Sequence, residues 1–325
     1  MTSLPLSLAC WDYDRTRPLI DGRVTAEGID LDVQLMRPQQ AFQRMLTEKE
    51  FAASEISLAS YVTLKARGEC PFVAIPVTLS KMFRHSCIYV REGSGIRTPA
   101  DLKGKRVGAT QFASTGVVFI KGMLQHEYGV HQSDMRWFIG GLDAPAHKPP
   151  AMPQTAPGVA VEFLYDGRTT LEGLFEAGEL DALFALYIPK IFERGSPQIR
   201  RLFPDYKSVE QSYVRRTGIF PVMHVVAIRE DVHREYPFVA RSLYKAFCDA
   251  RNLAVDGLYD TDALRVSLPW LIDHIEETRG VLGPDFFAYG LAPNRPAFAA
   301  IGQYLHEQGL APRVVTPEEL FADVE

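Results

Sequence analysis

Short apolar runs alternate along the chain with stretches of helical period, a pattern that predicts an α/β protein. Leu4 to Ala9 is an apolar run that breaks into a charged loop, and Ile29 to Leu35 alternates apolar and polar residues, so both predict strands of the kind that open a parallel sheet. Pro38 to Glu50 carries Phe42, Met45 and Leu46 at helical spacing, and Ser57 to Gly68 predicts a helix ended by its glycine. Phe72 to Val77 and Cys87 to Val90 predict two buried strands.

Beyond Arg91-Glu92-Gly93-Ser94-Gly95 the character changes, and the first domain crossing is expected there. Thr98 to Leu102 predicts a short capped helix and Lys105 to Ala109 a new strand. That strand leads through a polar turn ending in Ser114-Thr115-Gly116 into an apolar helix from Val117 to Tyr128. The helix start offers unpaired N–H groups and a positive dipole end, a reasonable seat for a carboxylate. Residues 140–158, rich in Pro, Ala and Gly, form a long connection read as a lid rather than a solvated excursion. Thr170 to Gly178 predicts a helix, Ala182 to Leu186 a buried strand, and Val222 to Arg229 the return crossing. Helices are predicted over Glu235 to Asp256, Thr261 to Thr278 and Pro296 to Gly309. The expected division is a discontinuous lobe 1 of 1–94 and 226–325 around a lobe 2 of 95–225.

Composition agrees with two domains: 325 residues, 46% hydrophobic and 23% charged, are many for one core. A net charge of −5 with no Lys/Arg run longer than two gives no footprint for nucleic acid or anionic lipid. Cys10, Cys70, Cys87 and Cys248 lack CxxC or metal-ligand spacing and are read as reduced thiols. The apolar Leu4 to Cys10 lacks a basic first region and is followed by Asp12, Asp14, Arg15 and Arg17, so it is not read as an export signal. No segment approaches the ~20 apolar residues of a membrane span. The expectation is a cytoplasmic protein, with apolar-faced C-terminal helices that leave room for a homodimer.

There is no P-loop, GxSxG elbow, EF-hand pattern or full dinucleotide fingerprint, and His126-Glu127 with His131 misses zincin spacing. What remains is a set of polar residues at strand ends and loops: Asp12, Tyr13, Asp14, Arg15, Arg17, Arg37, Glu55, Ser57, Arg84, His85, Ser114, Thr115 and His224. Ligands of open α/β sheets bind beyond the carboxyl ends of strands, so the placement is informative without being specific. Asp12, Asp14 and Arg15 equally fit a solvated loop network. Glu55 equally fits a charge at a helix start, and His224 a core histidine bonded to a carbonyl. Arg84-His85 between two apolar strands must face a cleft or find a buried partner.

The opening Leu8-Ala9-Cys10-Trp11-Asp12-Tyr13-Asp14-Arg15-Thr16-Arg17-Pro18-Leu19, with Gly22-Arg23-Val24 and Glu27-Gly28-Ile29-Asp30-Leu31, resembles the 4,5-dihydroxyphthalate decarboxylase family. Ala53-Ser54-Glu55-Ile56-Ser57-Leu58-Ala59-Ser60-Tyr61, Ile75-Pro76-Val77 and Phe83-Arg84-His85-Ser86 extend the resemblance over most of the chain. That family is similar to type 2 periplasmic binding proteins, which implies two lobes, each a mixed sheet flanked by helices, with a ligand cleft between them. Thr98 to Gly108 resembles a generic phrase of that fold at the start of its second lobe.

The resemblance implies a carboxy-lyase on a small aromatic dicarboxylate, releasing carbon dioxide and 3,4-dihydroxybenzoate. Each carboxyl of such a substrate lies para to a hydroxyl, so the ring serves as its own electron sink and no organic cofactor is expected. A divalent metal held by Asp12, Glu55 and a histidine is the one cofactor alternative. Under this reading Arg15 and Arg84, helped by Ser114 and Thr115, anchor carboxylate, with Tyr13 and Arg37 among the binding residues. His85 or His224 donates the proton to the ring carbon, and Asp12 or Glu55 accepts the phenolic proton. The rival readings are an aromatic-acid binding protein or sensor of the same fold, and a lyase on another ring acid.

Overall fold

The computed structural model describes residues 3–147 and 155–324, which build two mixed sheets. The strands are β1 Leu4–Cys10, β2 Ile29–Leu35, β3 Ala53–Ser57, β4 Phe72–Lys81, β5 Ile88–Arg91, β6 Arg106–Ala109, β7 Arg136–Gly140, β8 Val161–Leu164, β9 Ala182–Phe184, β10 Ile199–Arg201 and β11 Val222–Arg229. The helices are α1 Arg17–Ile20, α2 Pro38–Gln43, α3 Leu58–Arg67, α4 Thr115–Tyr128, α5 Leu171–Glu176, α6 Lys190–Glu193, α7 Tyr206–Thr217, α8 Glu230–Glu235, α9 Phe238–Asp256, α10 Leu271–Leu282 and α11 Leu291–Glu307. Among the described residues no helix is long and apolar enough to cross a membrane.

Lobe 1 comprises Met1–Lys81, Val222–Phe298 and Val315–Glu325. Its five strands run in the order β2-β1-β3-β11-β4, with β1 parallel to β2 and β3 and β11 antiparallel to β3 and β4. The carboxyl ends of β1, β3 and β4 therefore share one edge with the start of β11. Leu6, Leu8, Ile75, Val77, Val226 and Ile228 form the core with Val239, Leu243 and Phe247 of α9. The spacing of those α9 residues is the apolar stripe that seats a helix on a sheet. Ser57 caps α3 by accepting from the Ser60 N–H, and Gly68 ends it at φ 71°, as the sequence predicted. The helix predicted over 38–50 is present, but α2 continues as a π-helical turn over Arg44–Glu48.

Lobe 2 comprises Met82–Pro221 and Ala299–Val314, with strand order β10-β5-β9-β6-β7-β8. Tyr89, Leu171, Phe175, Leu180 and Leu183 make a core on this sheet. The short capped helix predicted over Thr98 to Leu102 is a 3-10 turn over Pro99–Leu102, with a capping box between Thr98 and Asp101. Helix α4 packs closely because Gly122 has no side chain: a Cβ there would lie 2.1 Å from Tyr304 Cδ2.

The first crossing falls between Lys81 and Met82, earlier than the expected 94/95. The reason is pairing: β5, expected in lobe 1, bonds antiparallel to β9 and β10. The return falls at 221/222 instead of 225/226, and Ala299–Val314 groups with lobe 2 although 226–325 was expected whole in lobe 1. The helix expected over 261–278 starts only at Leu271, because Pro269 disfavours helical backbone at Leu268. Strands β7, β8 and β10 and helix α7 were not anticipated; in α7 only Tyr213 and Val214 are buried, too few for a legible stripe. Residues 148–154 of the expected lid lie outside the described residues. Of its flanks, Leu142 packs into the lobe 2 core and His147 bridges to Asp166.

Lys121 on α4 is fully buried, its Nζ 3.1 Å from Gln132 Oε1 and 3.6 Å from the Phe112 ring centre. Burial lowers its pKa well below the ordinary lysine value. The folded lysine thus stays neutral over a pH range in which the unfolded one binds a proton, and stability rises with pH until the ordinary value near 10.4 is passed. In urea unfolding between pH 7 and pH 10, Lys121→Met is expected to lose that upward slope. An unchanged slope would show the amine to be charged in the fold.

Candidate active site

The loop from β1 to α1 is fixed from beneath by Thr16, which is fully buried. Its Oγ1 accepts from the Tyr13 N–H at 2.9 Å and donates to the Trp11 carbonyl at 2.9 Å. This sets the backbone of Trp11 to Tyr13 over the end of β3.

Glu55 lies in the middle of β3 and is wholly excluded from solvent. Its Oε2 accepts from the Trp11 N–H at 3.1 Å, and its Oε1 accepts from the Tyr13 hydroxyl at 2.7 Å and meets His224 Nδ1 at 2.7 Å. Burial alone would push the carboxyl upward. The hydrogen bond and charge of His224, the Tyr13 hydroxyl and the Trp11 N–H outweigh it and hold Glu55 below its ordinary value. Burial and the Glu55 charge push the Tyr13 hydroxyl up, so it stays a donor.

His224 sits near the start of β11, paired with Ser57 of β3 and Ser80 of β4 at an irregularity in the β11–β4 register. Such bulges re-aim side chains. Its ring stands edge-on to Phe42 of α2 at 4.8 Å, and its side chain is partly exposed. With Nδ1 committed to Glu55, Nε2 is the nitrogen left for a reacting partner.

The guanidinium of Arg15 lies 4.1 Å from the Tyr13 ring centre and 4.7 Å from that of Phe287. Its Nε and Nη2 donate to the Leu79 carbonyl and its Nη1 to Asp14 Oδ1. The fork expected to grip a carboxylate is thus engaged along β4. Asp12 pairs with Arg17, and exposed Arg37 lies over the Trp11 ring at 5.2 Å.

In lobe 2, Arg84 is largely buried, with Nη1 bonded to the sulfurs of Met82 and Cys87 at 3.4 and 3.7 Å. A Cβ on Gly116 would come within 3.3 Å of Arg84 Nε and 2.6 Å of Leu186 Cδ2. The missing side chain is what lets the guanidinium lie against the first turn of α4. Ser114 is the N-cap of α4 without capping it through its side chain, and Thr115 is buried beside it. Arg84, Ser114 and Thr115 are therefore brought together as an anion-seat geometry. His85 is 2% exposed, edge-on to Phe203 and Tyr213 at 5.3 Å each. Its ring nitrogens have no hydrogen-bond partner among the described residues, Glu210 Oε1 standing 3.7 Å from Nδ1.

Sequence reasoning missed Thr16 and Phe42, and missed Lys81 at the end of β4, whose Nζ donates to the Ala288 carbonyl at 3.2 Å. No sequence signal separates a lysine that ends a strand at a site from one that ends it in solvent. Among the described residues, the carboxylates and imidazoles close enough to share an ion are Asp273, His274 and Glu277 on the exposed side of α10, not Asp12, Glu55 and a histidine.

Residues 13–147 match the phosphonate-binding family described as "ABC transporter, phosphonate, periplasmic substrate-binding protein". A periplasmic sulfonate-binding protein of Methylobacillus flagellatus superposes with a TM-score of 0.59 at 12% identity, covering 99% of this chain and 92% of that one. The aliphatic sulphonate binding protein of Escherichia coli gives 0.53 at 14% identity, covering 99% and 97%. The fold is thus the two-lobed α/β class of periplasmic binding proteins. Within that class the chain is 37% identical to the 4,5-dihydroxyphthalate decarboxylase of Comamonas testosteroni over 99% of its own length and 97% of that protein. It is 34% identical to the same-named enzyme of Pseudomonas putida over 66% of its length and 83% of that protein. The chain belongs to the 4,5-dihydroxyphthalate decarboxylase family.

A carboxyl held below its ordinary value contributes stability that is full above the unfolded value near 4.3 and lost as pH falls through the folded one. Glu55→Gln is expected to cost about 1–3 kcal/mol at pH 7 by urea denaturation, because it replaces the buried carboxylate that three groups share as their acceptor. The gap to wild type should narrow at pH 3. A gap independent of pH would mean that Glu55 is already protonated in the fold.

Proposed function

We infer that this protein is a carboxy-lyase that converts 4,5-dihydroxyphthalate to 3,4-dihydroxybenzoate and carbon dioxide. The observation that carries the reading is the Glu55–His224 pair at the carboxyl edge of the lobe 1 sheet, in a chain of this family. A buried carboxylate that fixes one imidazole nitrogen and leaves the other for chemistry is the arrangement of an oriented general acid.

In this reading His224, protonated on both nitrogens, passes its Nε2 proton to the ring carbon that bears the departing carboxylate. Glu55 stabilises the imidazolium beforehand. As that carbon is protonated, the para hydroxyl loses its proton and becomes a carbonyl. Cleavage of the carbon–carboxylate bond then returns the electron pair to the ring, so the step needs no organic cofactor. Within lobe 2, Arg84 with Ser114 and Thr115 at the start of α4 offers a fixed positive potential of the kind that suits a carboxylate. His85, enclosed by aromatic rings, is assigned no proton transfer. Four cysteines carried as free thiols suit a reducing cytoplasm as the site of reaction.

The likeness to sulfonate-binding proteins favours one rival, an aromatic-acid binding protein. Incubation with 4,5-dihydroxyphthalate separates the two, by the ultraviolet spectrum and the carbon dioxide released. Tight binding with no spectral change would leave the binding protein standing. His224→Gln is expected to lower kcat by ~10²–10⁴-fold, while Arg84→Ala raises KM more than it lowers kcat. A His224→Gln enzyme within a few-fold of wild type would move the proton donor elsewhere.

A further inference from the structure

The reaction needs a base for the ring hydroxyl; of the two residues expected to serve, Glu55 is engaged by three donors, and Asp12 is held by Arg17 through Oδ2 while its Oδ1 has no partner among the described residues. A third group stands at the same sheet edge. Lys81 is the last residue of β4, next to Ser80, which pairs with His224. Its Nζ is 5.1 Å from the centre of the Phe287 ring, the ring that also carries the Arg15 guanidinium. Arg15 in turn lies on Tyr13, which bonds Glu55, which holds His224. Lys81 thus closes a contiguous row of side chains that begins at the proton donor.

We propose that Lys81 is the base that receives the proton of the ring hydroxyl para to the departing carboxylate, with Arg15 and Phe287 forming the catechol end of the substrate site. The proposal rests on the decarboxylase reading above. The two ends of the substrate make different demands. A carboxylate is charged throughout and is matched by a permanent cation. The hydroxyl ionises only while the ring carbon is being protonated, so it calls for a group that can change its own protonation, which lysine can do and arginine cannot.

The surroundings favour a neutral amine. Burial pushes the Lys81 ammonium down to about 7, and the positive charges of Arg251 and Arg15 act in the same direction, against Asp285. Arg251 is itself directed to Asp285 and to the Phe287 carbonyl at 3.3 Å. A base with a value near the working pH has both the required protonation state and a useful driving force. In the step, the hydroxyl O–H bond breaks and an N–H bond forms on Lys81 as His224 Nε2 gives its proton to the ring carbon. After the carbon–carboxylate bond breaks, the phenolate oxygen takes its proton back from Lys81. The net proton consumed comes from His224 and is replaced from solvent, with no change of oxidation state.

The test is the pH dependence of kcat/KM for wild type, Lys81→Met and Lys81→Arg. Because the base must be unprotonated, wild-type kcat/KM should rise with pH through a midpoint near 7. Lys81→Met should lose that limb and at least ~10²-fold in rate, and Lys81→Arg should fare no better although it keeps the charge. Lys81→Gln, which keeps a donor for the Ala288 carbonyl, replaces the methionine variant should that one not fold. A second readout needs no turnover: 3,4-dihydroxybenzoate bound to wild type should show catecholate absorption that Lys81→Met lacks. A Lys81→Arg rate within tenfold of wild type, or a surviving limb in Lys81→Met, would overturn the role of Lys81 and leave the decarboxylase intact. Wild type that binds 4,5-dihydroxyphthalate and releases no carbon dioxide would remove the underlying reading instead.

Discussion

A carboxylate with no access to water is one of the most expensive groups a protein can bury unless every lone pair in play is matched. Glu55 is such a group, and much of lobe 1 is arranged around its three donors. They come from distant places in the chain: the backbone and phenol of the loop after β1, and an imidazole on the antiparallel strand β11. The loop holds its shape because Thr16 satisfies it from below, and the imidazole arrives because β11 pairs with β3 in the register that sets His224 opposite Ser57. A one-residue slip of β11 would turn His224 to the other face and strand a buried charge, so the register of the sheet and the geometry of the acid–base pair are one constraint.

Lobe 2 reaches its polar geometry by omission. Gly116 leaves space that a methyl group would contest with Leu186 and Arg84, and the guanidinium uses that space to lie against α4. Arg84 Nη1 lies against the sulfurs of Met82 and Cys87, which accept hydrogen bonds only weakly. A positive group beside a helix start creates a standing preference for an anion, whereas Arg15, its fork given to Leu79 and Asp14, mainly stiffens the wall of Tyr13 and Phe287.

Local pattern made most of the scaffold legible. Apolar runs marked β1, β4 and β11, and Ser57 with Gly68 bracketed α3, because strand burial and helix capping are decided within a few residues. Long-range pairing was not legible. Nothing near Cys87 to Val90 announces that β5 pairs with β9 and β10, which is why the lobe boundary lies earlier than its sequence signal. The same limit applies to the site. Glu55 read locally as a charge at a helix start, yet it occupies a strand interior, and its partner lies 169 positions away. Lys81 lies beyond the strand predicted over Phe72 to Val77, and its neighbours Phe287, Ala288 and Arg251 come from the far end of the chain.

Lys121, fully buried, and Lys81, partly buried, show why burial alone does not assign chemistry. Lys121 and Lys81 are both pushed toward the neutral form by desolvation. Lys121 is wrapped by Phe112, Trp137 and the Gln132 amide inside the packing of α4, so its neutrality only adds a pH term to stability. Lys81 ends a strand at the edge where the sheet presents Glu55, Tyr13 and His224, with two arginines and one carboxylate setting its charge balance. An amine at the carboxyl end of a strand can meet a ligand, whereas one enclosed on the inner face of a helix cannot.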